Sequence, residues 1–456
     1  MTIHILPDDI LLEIFHFYKD DPSSFVHFTW RWNTLTQVCR RWRHVVFGSP
    51  RRLDLRLVCT SKTPTGRSLN IWPPFPIILL VEPSYPSVTK NGVENIIAAL
   101  KCRDRISKVD IYQIDGPVFN ELVTVLHEPL PVLAHFSLSS YDSSVPALPE
   151  TFLGGSAPRL QSFGLKGIPF PSFPKFIFRF SHIVHLHLDD IPNAGYISPE
   201  VMVTCLAALP DLKNVSIGFR SPPSHLLQLS PPRLARATLP SLTYLQFSGV
   251  SEYFEDFVAQ IDTPCLTWLN ITFFMDLIFD IPRLRNFIDH TEGLKPFNLA
   301  MVEFSHRTIM ISLRFRTMLM LEIRCERLDW QLSSMTQIFG EQLPLLSHVE
   351  QLVISEGLSM IPAWRDDPDM DPSLWLELFR LFVAVRSLHV SERLVYPVTR
   401  ALQGLTEQMA TEVLPVLRTL FLEELVPSGP VHEAMKPFAT ARQLAHQPVV
   451  IQRWER

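Results

Sequence analysis

The chain has 456 residues, 46% of them hydrophobic and 19% charged, and a net charge of −5. That is ample apolar material for a core, and at roughly 100–200 residues per domain it would divide into about three units, unless it forms an elongated repeat array. The charge leaves no basic surplus to release counterions from a phosphate backbone, so nucleic acid is not an expected partner.

The six cysteines, Cys39, Cys59, Cys102, Cys205, Cys265 and Cys325, stand apart from one another. They form no CxxC metal or redox motif and no secreted-type framework. The opening MTIHILPDD turns acidic where a signal peptide needs its apolar stretch. The most apolar short run, Phe75 to Val81, is too short to span a bilayer. The expected setting is the reducing interior, cytoplasmic and/or nuclear, with no membrane partner. The sequons at Asn214 and Asn270 then read as chance. Thirty-nine prolines and only sixteen glycines argue against a glycine-rich phosphate-binding fold.

Residues 5–18, ILPDDILLEIFHFY, predict a first helix. Pro7 suits an opening turn, where its missing N–H would be unpaired anyway. Asp8 and Asp9 follow at the positive end of the helix dipole. Ile10, Leu11, Ile14, Phe15 and Tyr18 then recur at helical spacing. A second helix is predicted from Asn33 or Thr34, with Leu35, Val38, Cys39, Trp42 and Val45 on its apolar side. Gly48-Ser49-Pro50 ends it.

In order and residue type, LPDDILLEIF followed by LTQVCRRWRHVVFGSPRRLDLRL resembles the F-box. The resemblance covers residues 5–50 and, more loosely, 51–57. It implies a non-catalytic module that docks the linker subunit of a cullin-based ligase. Carried over position by position, it implies contacts from Leu6, Pro7, Ile10, Leu11 and Ile14 in the first segment. Val38, Cys39, Trp42 and Val45 match the second. Some of these must instead hold the helices together. The connection from Lys19 to Trp32 is long and aromatic, readable as a loop or as an extension of the docking surface.

Residues 58–76 are polar and proline-containing, the pattern of a linker between an F-box at 1–57 and a repeat region at 77–426. From residue 106 the pattern apolar-x-x-apolar-x-apolar recurs. It begins as Ile106-Val109-Ile111 and Leu133-Phe136-Leu138 and runs to Leu417-Leu420-Leu422, with Leu299-Val302-Phe304 less clean. Self-similarity of this kind marks a solenoid, and the L-x-x-L-x-L core is that of leucine-rich repeats. The expected fold class is α/β: a helical F-box, then an irregular leucine-rich-repeat-like solenoid with a curved, mostly parallel sheet. An alternating α/β domain of another topology is the competing arrangement. The usual turn asparagine is replaced by Ile114, Tyr141, Ile168, Ile191, Arg220, Val250 and Phe274. Residues 219–240 read as an insertion around one helix, 363–372 as an acidic loop, and 427–456 as a cap or tail with one weak helix, Val431 to Leu444.

Catalytic and metal motifs are missing. Asp367, Asp369 and Asp371 have calcium-loop spacing, but Pro372 replaces the turn glycine and Leu378 the closing glutamate. His185, His187 and Asp189 share one strand face, with no further zinc ligand placed by the sequence. No GxSxG, HExxH or phosphate loop occurs, so no cofactor is expected. The outward strand positions, with His185, His187, Asp189, Asn214, Tyr244, Gln246, Trp268 and Asn270 near the middle, form the expected target-binding face. Exposed Tyr and Trp among hydrogen-bonding groups are typical of recognition hot spots.

The resemblance thus implies a substrate-recognition adaptor of an SCF-type E3 ubiquitin ligase, a monomer within a hetero-complex, whose partners are the linker subunit and an unknown protein substrate. An interaction scaffold outside any ligase is the first alternative and a hydrolase the second.

Overall fold

The computed structural model describes residues 6–19, 31–81, 88–220, 236–274, 281–294, 297–325, 327–343, 345–357, 371–405, 407–423, 426 and 429–454. The chain forms two compact units, Met1–Tyr196 and Ile197–Arg456.

The first unit opens with helices α1 (Asp8–Lys19), α2 (Arg31–Val38) and α3 (Arg40–Gly48). Asp8 and Asp9 occupy the first turn of α1, as the dipole favours. Leu11, Leu12 and Phe15 of α1 are buried, as are Leu35 of α2 and Val45 and Val46 of α3. The Phe15 and Trp42 rings lie 4.8 Å apart. The single second helix expected from Asn33 or Thr34 is therefore two. Cys39 adopts extended backbone (φ −157°, ψ 170°) and its Sγ accepts from the Trp42 N–H at 3.4 Å. Cysteine lies outside the usual set of capping residues, so nothing in the sequence announced the break.

The segment 58–76, expected as a linker, is tied down. Strand β1 (Leu57–Cys59) pairs in parallel with β2 (Ile77–Val81), and α4 (Thr65–Ile71) lies between them. Trp32 packs edge-on against Trp72 and Phe75, with centroids 5.2 and 5.6 Å away. Its indole N–H donates to the Arg56 carbonyl at 3.0 Å. Aromatic burial, rather than polar composition, decides the segment's structure. Strands β3 (Ile106–Ile111), β4 (His135–Ser139), β5 (Ser162–Lys166) and β6 (His185–Ile191) then add in parallel. Helices α5 (Lys90–Leu100), α6 (Gly116–Val125) and the short α7 (Phe173–Ile177) fall between strands.

The second unit begins with α8 (Pro199–Ala207), β7 (Asn214–Phe219), β8 (Ala237–Thr238), β9 (Tyr244–Gly249), α9 (Ser251–Val258), β10 (Ile261–Asp262), β11 (Trp268–Phe273) and α10 (Pro282–His290). Strands β12 (Leu299–Phe304), β13 (Thr308–Arg314) and β14 (Met318–Arg324) follow, then α11 (Leu328–Gln337) and β15 (Gln351–Glu356). It closes with α12 (Ser373–Arg380), β16 (Ser387–Val390), α13 (Val395–Gln403), α14 (Glu407–Glu412), β17 (Thr419–Leu422), α15 (Pro430–Leu444) and β18 (Val450–Arg453). Its main sheet runs β7-β9-β11-β14-β13-β12-β15-β16-β17-β18, while β8 and β10 pair separately. All of these pairings are parallel except β12–β13 and β13–β14. The antiparallel meander fills the long gap between the repeat cores at 299 and 349.

The repeat cores carry the interior of both units: Val109, Phe136, Phe163, Leu186, Val215, Leu245, Leu269, Leu352, Leu388 and Leu420 are each at most 1% exposed. One core needs reframing. Ala300 pairs with Leu352 and Val302 with Ile354, so Phe297-Ala300-Val302 occupies the inward positions. Leu299 faces the other way and is half-buried.

The missing turn asparagines are replaced in two ways. At several turns a buried apolar residue takes the place and backbone bonds run to the adjacent repeat. Ile114 N–H donates to the Ser139 carbonyl at 3.1 Å, and the buried Ser140 hydroxyl donates to the Ile114 carbonyl at 2.6 Å. In the meander a side-chain amide does the work: buried Gln331 donates to the carbonyls of Ser305 (3.1 Å) and Cys325 (2.8 Å). Buried backbone carbonyls need such partners.

At the C-terminal end, α15 matches the expected weak helix, and β18 extends the sheet beside β17. Arg442 of α15 is fully buried and donates to the carbonyls of Ala410, Pro415 and Leu417. Burial draws its pKa down from the usual arginine value. Among the described residues, no helix is long and apolar enough to cross a membrane.

Candidate interaction surfaces

The three N-terminal helices divide the nine implied docking residues by burial. Ile10 (46% exposed), Ile14 (40%) and Val38 (57%) stand open, and Pro7 is exposed. Leu6, Cys39 and Trp42 are half-buried. Leu11 (0%) and Val45 (5%) are buried, so they are among the implied residues that hold the helices together. On α1, Ile10, Ile14, Phe17 and Tyr18 lie at i, i+4, i+7 and i+8, which places them on one side. Phe17 and Tyr18 are 76% and 44% exposed, and neither is among the implied contacts. Exposed apolar residues clustered on one helix side mark an interaction surface more often than singly scattered ones do. Behind this side, Arg41 bonds Asp8 at 2.6 Å and the Leu6 carbonyl at 2.5 Å, and Arg52 meets Glu13 at 2.5 Å. Such exposed pairs add only about 0–1 kcal/mol each, but they fix how α1 sits on α3.

In the first unit the outward strand positions form a polar row. Register places Lys108, His135, Ser162 and His185 on successive strands, and Asp110, Ser137, Gly164 and His187 one step along. Lys108 Nζ lies 3.1 Å from Asp110 Oδ2. Burial, then the charges of Lys108 and His185, hold the His135 imidazole below its usual range. His185, His187 and Asp189 are half-buried on that face. Among the described residues no three metal-ligating side chains converge.

In the second unit Asn214, Tyr244 and Trp268 are neighbours across three strands, with Gln246 and Asn270 beside them. The Tyr244 hydroxyl donates to Gln246 Oε1 at 2.6 Å, and the Tyr244 and Trp268 rings lie 5.8 Å apart. Trp268 is 39% exposed. The meander continues this face with residues the sequence reading did not name: Met318, Met320, Met310, Met301, Ser312 and Arg314. The short apolar runs in TIMISLR and MLMLEIR, bounded by polar residues, are the signal that would have found both strands.

The acidic run 363–372 lies almost wholly outside the described residues, as does most of the Lys19–Trp32 connection. All six cysteines are free, and burial pushes the Cys59 and Cys205 thiols up to about 11 and Cys325 up to about 12. Buried thiols of this kind are poor nucleophiles.

Three short helices therefore precede a repeating strand-and-helix array. Residues 3–60 match the family described as F-box-like. Residues 3–60 are thus an F-box-like domain, and the strands and helices that follow form a leucine-rich-repeat-like array. Among solved structures it is similar to the leucine-rich-repeat-containing protein LegL7 from Legionella pneumophila, at 11% identity and a TM-score of 0.29, over 87% of this chain and 99% of that one. It is also similar to a TLR13–ssRNA13 complex, at 11% identity and a TM-score of 0.29, over 87% of this chain and 48% of that one. No curated protein matches the sequence.

Proposed function

We propose that the protein is the substrate-recognition adaptor of a cullin-based, SCF-type E3 ubiquitin ligase in the cytoplasm or nucleus. The F-box-like helices dock the linker subunit and the repeat face holds a protein target. The observation that carries this reading is the exposed apolar side of α1, with Ile10, Ile14, Phe17 and Tyr18 presented at helical spacing within the F-box-like segment. Catalysis is then proximity supplied to a partner enzyme, with no acid, base or nucleophile from this chain.

The test is binding of the full chain to purified linker subunit. Replacing Pro7 and Ile10 together by alanine removes part of the exposed apolar side while leaving the core of α1 intact. Affinity is expected to fall by about tenfold or more, in line with losing roughly 1.4 kcal/mol of apolar contact. Binding that is unchanged would show that this side of α1 is not the docking surface.

A further inference from the structure

The antiparallel meander places an unusual set of side chains on the sheet face away from the core. Its inward residues, Ile309, Ile311, Leu313, Leu319, Leu321 and Ile323, are all at most 2% exposed. The alternate positions face outward, and the registers fix them as a lattice. In one row Trp268, Met318 and Arg314 lie on adjacent strands; in the next, Asn270, Met320, Ser312 and Met301; in the third, Glu322, Met310 and Glu303.

Three properties of this lattice point to a ligand. Four methionines and a 39%-exposed tryptophan make an apolar, polarizable surface of the kind that adapts to a partner's shape. Ser312, 0% exposed, has a hydroxyl with no hydrogen-bond partner among the described residues, and so does the buried Oδ1 of Asn270. Unmet polar atoms under an apolar cover are costly unless something supplies the missing bonds. The charges are also separated. Arg314 lies at one end, its buried Nε without a partner, while Glu303 and Glu322 flank Met310 at the other, two steps along the strands. Arg314 and Met310 are four residues apart on β13, about 13 Å in an extended strand.

We infer that this patch is the target-binding surface, and that its occupant is a protein segment with an apolar centre, a carboxylate on the side facing Arg314 and a Lys or Arg on the side facing Glu303 and Glu322. The Ser312 hydroxyl and Asn270 Oδ1 are covered in the free chain, so amides of that segment meet them once the flexible Met301 and Met320 side chains shift aside. The inference rests on the adaptor reading and deepens it by naming the chemistry of the target. It also moves the centre of the binding face from Tyr244 and Gln246 to the inserted strands.

The test is a phage-displayed library of random twelve-residue peptides, panned on the full chain. The expected consensus has apolar residues between one acidic and one basic position. A synthetic peptide of that consensus is expected to lose about tenfold or more in affinity on Arg314→Glu, and again on Met320→Asp. Exchanging the peptide's acid for lysine restores binding to the Arg314→Glu chain. Arg314 is partly exposed; a melting curve on each variant checks that it folds, and Met320→Ala replaces any that does not. No enrichment, a consensus of one charge sign, or affinities indifferent to both substitutions would overturn the inference. Linker-subunit binding, measured on the same variants, separates the two readings. Retained linker binding without peptide selection leaves the adaptor role and removes this surface, and the converse leaves a peptide-binding scaffold outside a ligase.

Discussion

Ile14→Asp in the full chain is expected to lower affinity for the linker subunit by about a hundredfold or more, while the melting temperature stays where it was. Ile14 is 40% exposed on the open side of α1, so a carboxylate there remains in water until a partner covers it. Covering it strands a charge in an apolar contact, which costs roughly 3 kcal/mol or more, and about 1.4 kcal/mol is tenfold. Leu11, one turn earlier and 0% exposed, behaves in the opposite way. Leu11→Ala is expected to destabilise the helical module by about 2–5 kcal/mol through the cavity it leaves. The pair separates docking from folding: titration calorimetry reads the first substitution and a thermal melt the second. If Ile14→Asp melted early and Leu11→Ala did not, the assignment of the two sides of α1 would be reversed.

Arg442→Ala is expected to destabilise the second unit by about 3–5 kcal/mol, because it leaves a cavity and takes the donors from three carbonyls. The guanidinium holds α15 to the end of α14 and to the residues leading into β17. At about 2–4 °C per kcal/mol for a unit of this size, the melting temperature should fall by roughly 10 °C. Arg442→Met fills most of the space without a buried charge and should cost less, since replacing buried charge with well-packed apolar groups is often tolerated. A melt in which Arg442→Ala is neutral would show that packing alone holds α15.

The parallel array was legible because its signal is local. Val109 and Ile111, or Leu245 and Phe247, alternate with polar neighbours, and such alternation reads as a strand whatever surrounds it. The frame at Leu299 was misread for the same reason: Leu299, Val302 and Phe304 satisfy the pattern, and only pairing with β15 shows that Ala300 is the inward residue. The inserted strands, with Ile309-Met310-Ile311 and Met318-Leu319-Met320-Leu321 as unbroken apolar runs, lack both the repeat's alternation and its spacing. In the F-box-like segment Ile10 and Leu11 are adjacent and chemically alike. One is open and the other closed because α3 covers one side of α1, which is tertiary information. Trp32 likewise stands at the end of an aromatic connection, and its partners Trp72 and Phe75 lie about forty residues on.

The most direct measurement of the central claim is reconstitution: the full chain mixed with purified linker subunit and cullin scaffold, resolved by size-exclusion chromatography with light scattering. The adaptor reading predicts one stable complex with one copy of each chain, lost when Ile14→Asp replaces the native protein. A chain that elutes alone, while a known F-box protein assembles in the same mixture, would contradict it.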